Sequence, residues 1–234
     1  MGVMVTKLTI GVPVYNERER VRAALKALLD ASFPVGVEVI VVDDGSTDDT
    51  WQILNDMALP PNVRLVRHDR NRGKGAAVRT AIAEATGDVF VPFDADLEYD
   101  PDDLVRCLQP LIEREADVVF GTRAFGSNTA FNFWYVMGNK FITLVANVLF
   151  NCYISDLETC FKVVRTDVLR GLDLRSDGFD IEPEVTGKLL RTGHRPFEVP
   201  IAYKARTRLE GKKINWLDGV RAIWVLLRVR VTGR

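Results

Sequence analysis

The ten residues VEVIVVDDGS, Val37 to Ser46, decide the fold. Val37 to Val42 is apolar on both alternating faces apart from Glu38, which suits a strand buried inside a parallel sheet. The run breaks at Asp43-Asp44-Gly45-Ser46, a turn by composition, and a helical stretch follows through Leu54. Working outward, the same unit repeats. Leu8 to Val14 reads as the preceding strand, ending at Pro13. Asn16 with Glu19 three residues on reads as a capping box, opening a helix on which Val21, Leu25, Leu28 and Leu29 recur at helical spacing. Val63 to Val66, Asp88 to Phe93 and Asp117 to Phe120 read as further strands. Ala76 to Ala85 and Pro101 to Arg114 read as helices, with Asn71 to Gly75 a loop. This alternation implies an α/β architecture, a Rossmann-like mostly parallel sheet with helices on both faces. The second half is less regular: helices over Phe131 to Phe150, Pro183 to Arg191 and Trp216 to Arg228, and a short strand over Phe161 to Val164. With no internal repeat or low-complexity linker, residues 1–234 read as one domain with a C-terminal elaboration.

Composition narrows the function classes. The chain has 234 residues, 47% hydrophobic and 27% charged, with a formal net charge of -1. That is ordinary globular composition with no global field to draw in nucleic acid. The charge is uneven, however: Lys204 to Arg234 carries nine Lys/Arg against two acids, leaving an acidic body. A basic end on an acidic body points to an anionic surface or substrate there. Three cysteines without a CxxC spacing favour neither a disulfide framework nor a zinc site, and fit a reducing compartment. The N-terminus has no basic segment followed by an apolar one, so no signal peptide is read. Nor is there an uninterrupted apolar window of 18 residues; the nearest, Phe131 to Phe150, is broken by Gly138-Asn139-Lys140.

A second acidic turn follows another strand: VPFDADLEYDPDD, Val91 to Asp103, with six acids in its last ten residues and no Lys or Arg. Carboxylates this close repel. Asp100, Asp102 and Asp103 are explained by the start of the next helix, whose dipole favours them. Asp94, Asp96 and Glu98 fall on one side of an extended segment, offer only oxygen ligands, and so select Mg²⁺ or Mn²⁺. Both acidic turns lie where open α/β sheets bind ligands, beyond the carboxyl ends of strands. Gly73-Lys74-Gly75 permits backbone approach to phosphate and supplies a point charge, without the GxxxxGK spacing of a Walker A loop.

Pro13-Val14-Tyr15-Asn16-Glu17, the Asp43 to Asp48 turn, Asn71 to Gly75 and Asp94-Ala95-Asp96 occur in that order, each at a strand end. Together they resemble the family 2 glycosyltransferases of GT-A fold. Gly121-Thr122-Arg123, Ser155 to Lys162, Glu182-Pro183-Glu184 and Glu210 to Ile214 extend the resemblance to the polyprenyl-phosphate sugar synthases, such as dolichol-phosphate mannose and glucose synthases. It implies a nucleotide-binding half over about residues 1–123 and an acceptor-facing half over about 124–234. It implies that Pro13, Tyr15, Glu17, Asp43, Asp44, Lys74, Asp94, Ala95 and Asp96 hold a nucleotide sugar, with GDP-mannose and UDP-glucose both open. Asp94, Asp96 and Glu98 would hold the metal at the diphosphate. Arg123, Lys140 and Arg206 would clamp the phosphate of a polyprenyl lipid, and Asp156 would orient a group or accept a proton. Asp96, Asp156 and Arg123 are thus the expected catalytic residues.

Such an acceptor is already anionic and needs cations more than a base. A soluble relative acting on a sugar hydroxyl would need a real base, from Asp156 or Glu182, and a nucleotide-sugar-binding scaffold without turnover would not need the metal. Phe131 to Phe150 and the stripe Trp216, Val220, Ile223, Trp224, Leu227 and Val231 can lie in a membrane interface or pack in the core. The expectation is peripheral attachment at a cytoplasmic membrane face, directly or through a membrane-anchoring partner protein.

Overall fold

In the computed structural model, which describes residues 4–124, 133–204 and 216–233, the alternation of the first half builds a sheet. Strands β1 (Lys7–Val14), β2 (Gly36–Asp43), β3 (Val63–Arg67) and β4 (Val89–Pro92) run parallel, connected through helices α1 (Val21–Asp30), α2 (Thr50–Asp56) and α3 (Lys74–Glu84). The remaining elements are α4 (Pro101–Ile112), β5 (Val118–Thr122), α5 (Phe133–Phe150), β6 (Lys162–Arg165), α6 (Thr166–Gly171), α7 (Ile181–Arg191), β7 (Phe197–Pro200) and α8 (Trp216–Thr232). The sheet order is β3-β2-β1-β4-β6-β5-β7. Strand β6 is antiparallel to both neighbours, and β7 is parallel to β5.

The opening stretch shows why the sheet is buried on both sides. Val39 and Val41 join one apolar layer, with Leu25 and Leu28 of α1 and Leu104 and Leu108 of α4. Ile40 and Val42 join the other, with Ala77 and Ala81 of α3 and Leu189 of α7. Each such aliphatic side chain contributes roughly 1.5–3 kcal/mol on leaving water, so a two-sided apolar strand is stable only between two helical layers.

Local signals held unevenly. Asp100 caps α4 by accepting from the Asp102 amide at 3.0 Å, with Pro101 in the first turn beside Asp102 and Asp103. The capping box at Asn16 does not form, because α1 starts only at Val21. Asn16 takes a left-handed φ of 53° and binds the Asp43 to Asp48 turn instead: its amide donates to Ser46 Oγ at 3.0 Å, and its Oδ1 accepts from the Thr47 amide at 2.9 Å. Gly138-Asn139-Lys140 does not interrupt α5, which runs for 18 residues and is long and apolar enough to cross a membrane by length and composition alone. One side of α5 nevertheless lies against the protein, through Ile142, Ala146 and Phe150. Phe131 lies outside the described residues, as do Arg206 and Glu210 to Ile214.

Candidate active site

The strand ends β1, β2 and β4, the N-terminus of α3, and helices α5, α7 and α8 enclose a cavity of 1360 Å³. Asp94 and Asp96 stand on its wall because β4 ends at Pro92 and the chain turns at Ala95-Asp96. The turn, with Leu97 at φ 64°, replaces the extended alternation expected from sequence. Glu98 still lines the cavity, but its carboxylate accepts from the Tyr203 hydroxyl, and its amide donates to Asp96 Oδ1 at 3.0 Å. Among the described residues no three His, Cys, Asp or Glu side chains converge as a ready-made metal site. Asp94 and Asp96 supply hard oxygen donors at the edge of open space. That fits Mg²⁺ or Mn²⁺ with water and substrate phosphate filling the other positions.

The cation facing these acids is Lys74. Its Nζ lies 2.8 Å from Asp94 Oδ2 and 3.4 Å from Glu182 Oε1. Burial alone would lower its pKa, but the carboxylates, led by Asp94, hold it well above the ordinary lysine value. The flanking glycines also make room within the fold. A Cβ on Gly73, at φ 100°, would meet the Asp177 carbonyl oxygen at 2.2 Å, and one on Gly75 the Ser176 oxygen at 2.3 Å. They admit the 176–178 backbone, while Gly73 and Lys74 still line the cavity.

Asp43 and Asp44 divide their work clearly. Asp43 is fully buried behind the cavity wall; it pairs with Arg67 Nε at 3.2 Å and accepts from the Ser46 amide at 3.3 Å. Asp44 reaches the wall but holds the loop before α3: Oδ1 meets His68 Nδ1 at 2.6 Å and the Arg72 amide at 2.9 Å, and Oδ2 accepts from the Gly73 amide at 2.7 Å. Pro13, Tyr15, Glu17 and Ala95 line the same cavity.

Arg123, just beyond β5, forms a fork-to-fork pair with Asp156: Nε to Oδ2 at 2.6 Å and Nη2 to Oδ1 at 2.8 Å. Asn139 of α5 donates to the same Oδ1 at 2.8 Å. Burial alone would raise the Asp156 carboxyl, but Arg123, followed by Asn139, holds it below its usual value. An acid so held orients a guanidinium and is a poor proton acceptor. Its neighbour Glu158 is the opposite case: burial first, then the charge of Glu182, pushes its carboxyl up to about 7 despite Lys162. Lys140 is exposed at the cavity mouth.

A family model described as glycosyl transferase family 2 matches residues 9–172. The chain belongs to glycosyl transferase family 2. It is 32% identical over 223 residues to the undecaprenyl-phosphate mannosyltransferase of Micrococcus luteus, across 91% of this chain and 89% of that one. It is 28% identical over 228 residues to the dolichol-phosphate mannosyltransferase of Pyrococcus furiosus, across 95% of this chain but only 64% of that longer protein. Within family 2 the resemblance is therefore to the polyprenyl-phosphate sugar transferases. Glucosyl-3-phosphoglycerate synthase from Mycobacterium tuberculosis in complex with UDP superposes with a TM-score of 0.72 at 20% identity, covering 97% of this chain and 80% of that one. At that identity the likeness establishes the GT-A fold.

The family 2 motifs thus converge on one cavity, with Asp43 just behind its wall. Sequence reasoning passed over Asn139, Glu158, Phe179 and Tyr203, which also line it. Asn139 had a signal, a polar residue inside an apolar helix. Glu158 sat within a recognised motif but had no charge pattern of its own. The lysine–phenylalanine approach, with Lys74 Nζ 6.0 Å from the Phe179 ring, joins residues 105 positions apart and left no local trace.

Proposed function

We propose that this chain is an inverting, metal-dependent hexosyltransferase. It moves mannose or glucose from a nucleotide diphosphate sugar, GDP-mannose or UDP-glucose, to a polyprenyl phosphate of the dolichyl or undecaprenyl type. Residues 1–234 act as one catalytic domain. The observation that carries this reading is the mixed lining of one cavity. Carboxylates and Lys74 beyond the strand ends share it with Trp134, Phe141, Val220 and Ile223 of α5 and α8, whose apolar faces continue onto the surface.

Tyr15 and Glu17 face the nucleoside, Tyr15 as a stacking surface and Glu17 as an acceptor. Asp94 and Asp96 would hold the divalent cation, with Glu98 bracing the turn through its Tyr203 contact. Bound there, the metal supplies positive charge against that developing on the departing diphosphate. Lys74 adds a second cation on the same face. Arg123, aimed by Asp156, holds the acceptor phosphate, with Lys140 and Arg206 completing its charge balance. The phosphate attacks the anomeric carbon opposite the diphosphate, and no proton need leave it when it binds as the dianion.

The lipid tail has a path. Phe133, Trp134, Met137, Phe141, Leu144 and Val148 expose one face of α5, and Leu217, Val220, Trp224, Leu227 and Val231 expose one face of the adjoining α8. Arg221 and Arg230 flank the α8 stripe. Such helices lie in the plane of an interface with their cations at the headgroups, so we place the protein at a cytoplasmic membrane face, with or without an anchoring partner protein. Support comes from the names of the two mannosyltransferase relatives and from the UDP held by the structural neighbour. The test is transfer of radiolabel from each nucleotide sugar into organic-extractable product, with polyprenyl phosphate and Mg²⁺ or Mn²⁺ supplied.

A second reading, transfer to a sugar hydroxyl, is favoured by one observation: Glu158, near neutrality on the cavity wall, is a suitable general base. Water-soluble glycoside product, lost in Glu158→Gln while lipid product is absent, would establish it.

A further inference from the structure

Beneath the cavity lies a chain of alternating charges whose inner two members, Lys162 and Glu182, have no part in the proposed reaction. Lys162 of β6 is buried, its side chain 2% exposed. Its Nζ donates to Glu182 Oε2 at 2.6 Å and to the Thr159 carbonyl at 2.5 Å, and sits 5.4 Å from the Phe120 ring. The other oxygen of Glu182 faces Lys74 at 3.4 Å, and Lys74 reaches Asp94 at 2.8 Å. Exposure rises along this line, to 8% at Glu182, 14% at Lys74 and 22% at Asp94. The innermost member cannot touch substrate; the outer three line the cavity.

We infer that Lys162 is a positioning residue for the diphosphate subsite, acting through Glu182 to set both the place and the free charge of the Lys74 ammonium. This rests on the nucleotide-sugar reading. A lysine ammonium is a point charge on a flexible stem, so something must fix it. Asp94 alone cannot do so while it also faces a metal. Glu182 can, provided that its own charge is answered from behind. The balance decides the sign: Asp94, Lys74 and Glu182 together carry one net negative charge, which repels a diphosphate, whereas adding Lys162 makes the group neutral. Without Lys162, Glu182 claims Lys74 for itself and draws it inward.

The test compares affinities for diphosphate and monophosphate nucleotides, GDP against GMP and UDP against UMP, by calorimetry with Mg²⁺ throughout. In Lys162→Met the preference for diphosphate is expected to fall by about tenfold or more, the scale of one charge-assisted hydrogen bond, with monophosphate affinity kept. Lys162→Arg should recover part of it. Should Lys162→Met fail to fold, the Lys162→Met, Glu182→Gln double variant removes the stranded carboxylate, leaves Asp94 and Lys74 neutral as a pair, and should fold with the preference near that of the wild type; a preference lost in the double variant would show that Lys162 does not act through Glu182 and overturn the inference. A folded Lys162→Met protein with a lower melting temperature but an unchanged ratio would make Lys162 purely structural and overturn it equally. A wild-type protein that binds neither diphosphate would instead reject the nucleotide-sugar reading, and the inference with it.

Discussion

The sheet has a buried acid–cation cluster at each end, and the two are built differently. At the amino edge, Glu38 of β2 is closed in on itself. It accepts from Thr9 Oγ1 at 2.5 Å, from the Thr86 amide at 2.5 Å and hydroxyl at 2.7 Å, and from Lys7 Nζ at 3.1 Å. Burial raises its pKa, yet these bonds, led by Thr9, bring it down to about 2. At the carboxyl edge, Asp94, Lys74 and Glu182 are equally well paired but face open space. The first cluster has spent its hydrogen-bonding capacity on the fold; the second can exchange partners with a ligand. Burial of charge is common to both, so the direction in which the cluster opens is what distinguishes function from stability.

The largest expected effect breaks the carboxyl end. Asp96→Ala should lower transfer by about a thousandfold, the scale of several kcal/mol of lost charge stabilisation in the transition state, with the melting temperature little changed. Near-wild-type turnover would remove Asp96 from the metal's ligands. Arg123→Met should follow, with kcat/KM for the lipid acceptor down roughly a hundredfold and stability down by about 3 kcal/mol, because Asp156 is left buried without its partner. Asp156→Asn in that background should recover stability but not activity.

The amino end should respond in the opposite way. Glu38→Gln should cost roughly 2 kcal/mol, from weakened charged hydrogen bonds, while turnover per folded molecule stays unchanged. Glu38 and the cavity-wall carboxyl Glu158 also differ in pH dependence. Glu38 has a folded pKa below its unfolded one, so its stabilisation is present above about pH 4.5 and is lost as the pH falls towards 2. Glu158 has a raised one, so protein stability falls as the pH rises from about 4.5 to 7, where the buried carboxyl must ionise. Denaturation of Glu158→Gln across that window should lack this slope. Smallest of all, Trp224→Ser should weaken binding to anionic vesicles by about tenfold, the scale of one exposed aromatic buried in an interface, without altering nucleotide affinity; unchanged vesicle binding would free α8 from the membrane.

The same contrast explains what the sequence disclosed. β1, β2 and β4 were legible because two-sided apolar runs such as Val37 to Val42 admit few other environments, and Asp94 and Asp96 because they follow such a run directly; β3, VRLVR, showed only as a short apolar segment between turns. Strand β6 was visible as an apolar segment, but not its antiparallel insertion between β4 and β5, which depends on long-range pairing. The partners of Glu98 and Lys74 were hidden for the same reason: Tyr203 lies 105 residues away from one, and Glu182 lies 108 from the other. Asn16 misled because its side chain serves two purposes; the local rule expects a helix cap, and the loop at Ser46-Thr47 takes it instead.

The central claim is that one cavity joins a nucleotide-sugar site to a lipid path. Incubating the protein with radiolabelled GDP-mannose or UDP-glucose, Mg²⁺ or Mn²⁺, and polyprenyl phosphate in vesicles tests it most directly. The account predicts label in the organic phase as a sugar phospholipid, abolished in Asp96→Ala. Label that reaches only water-soluble glycoside, or no lipid-linked product from any donor, would contradict it.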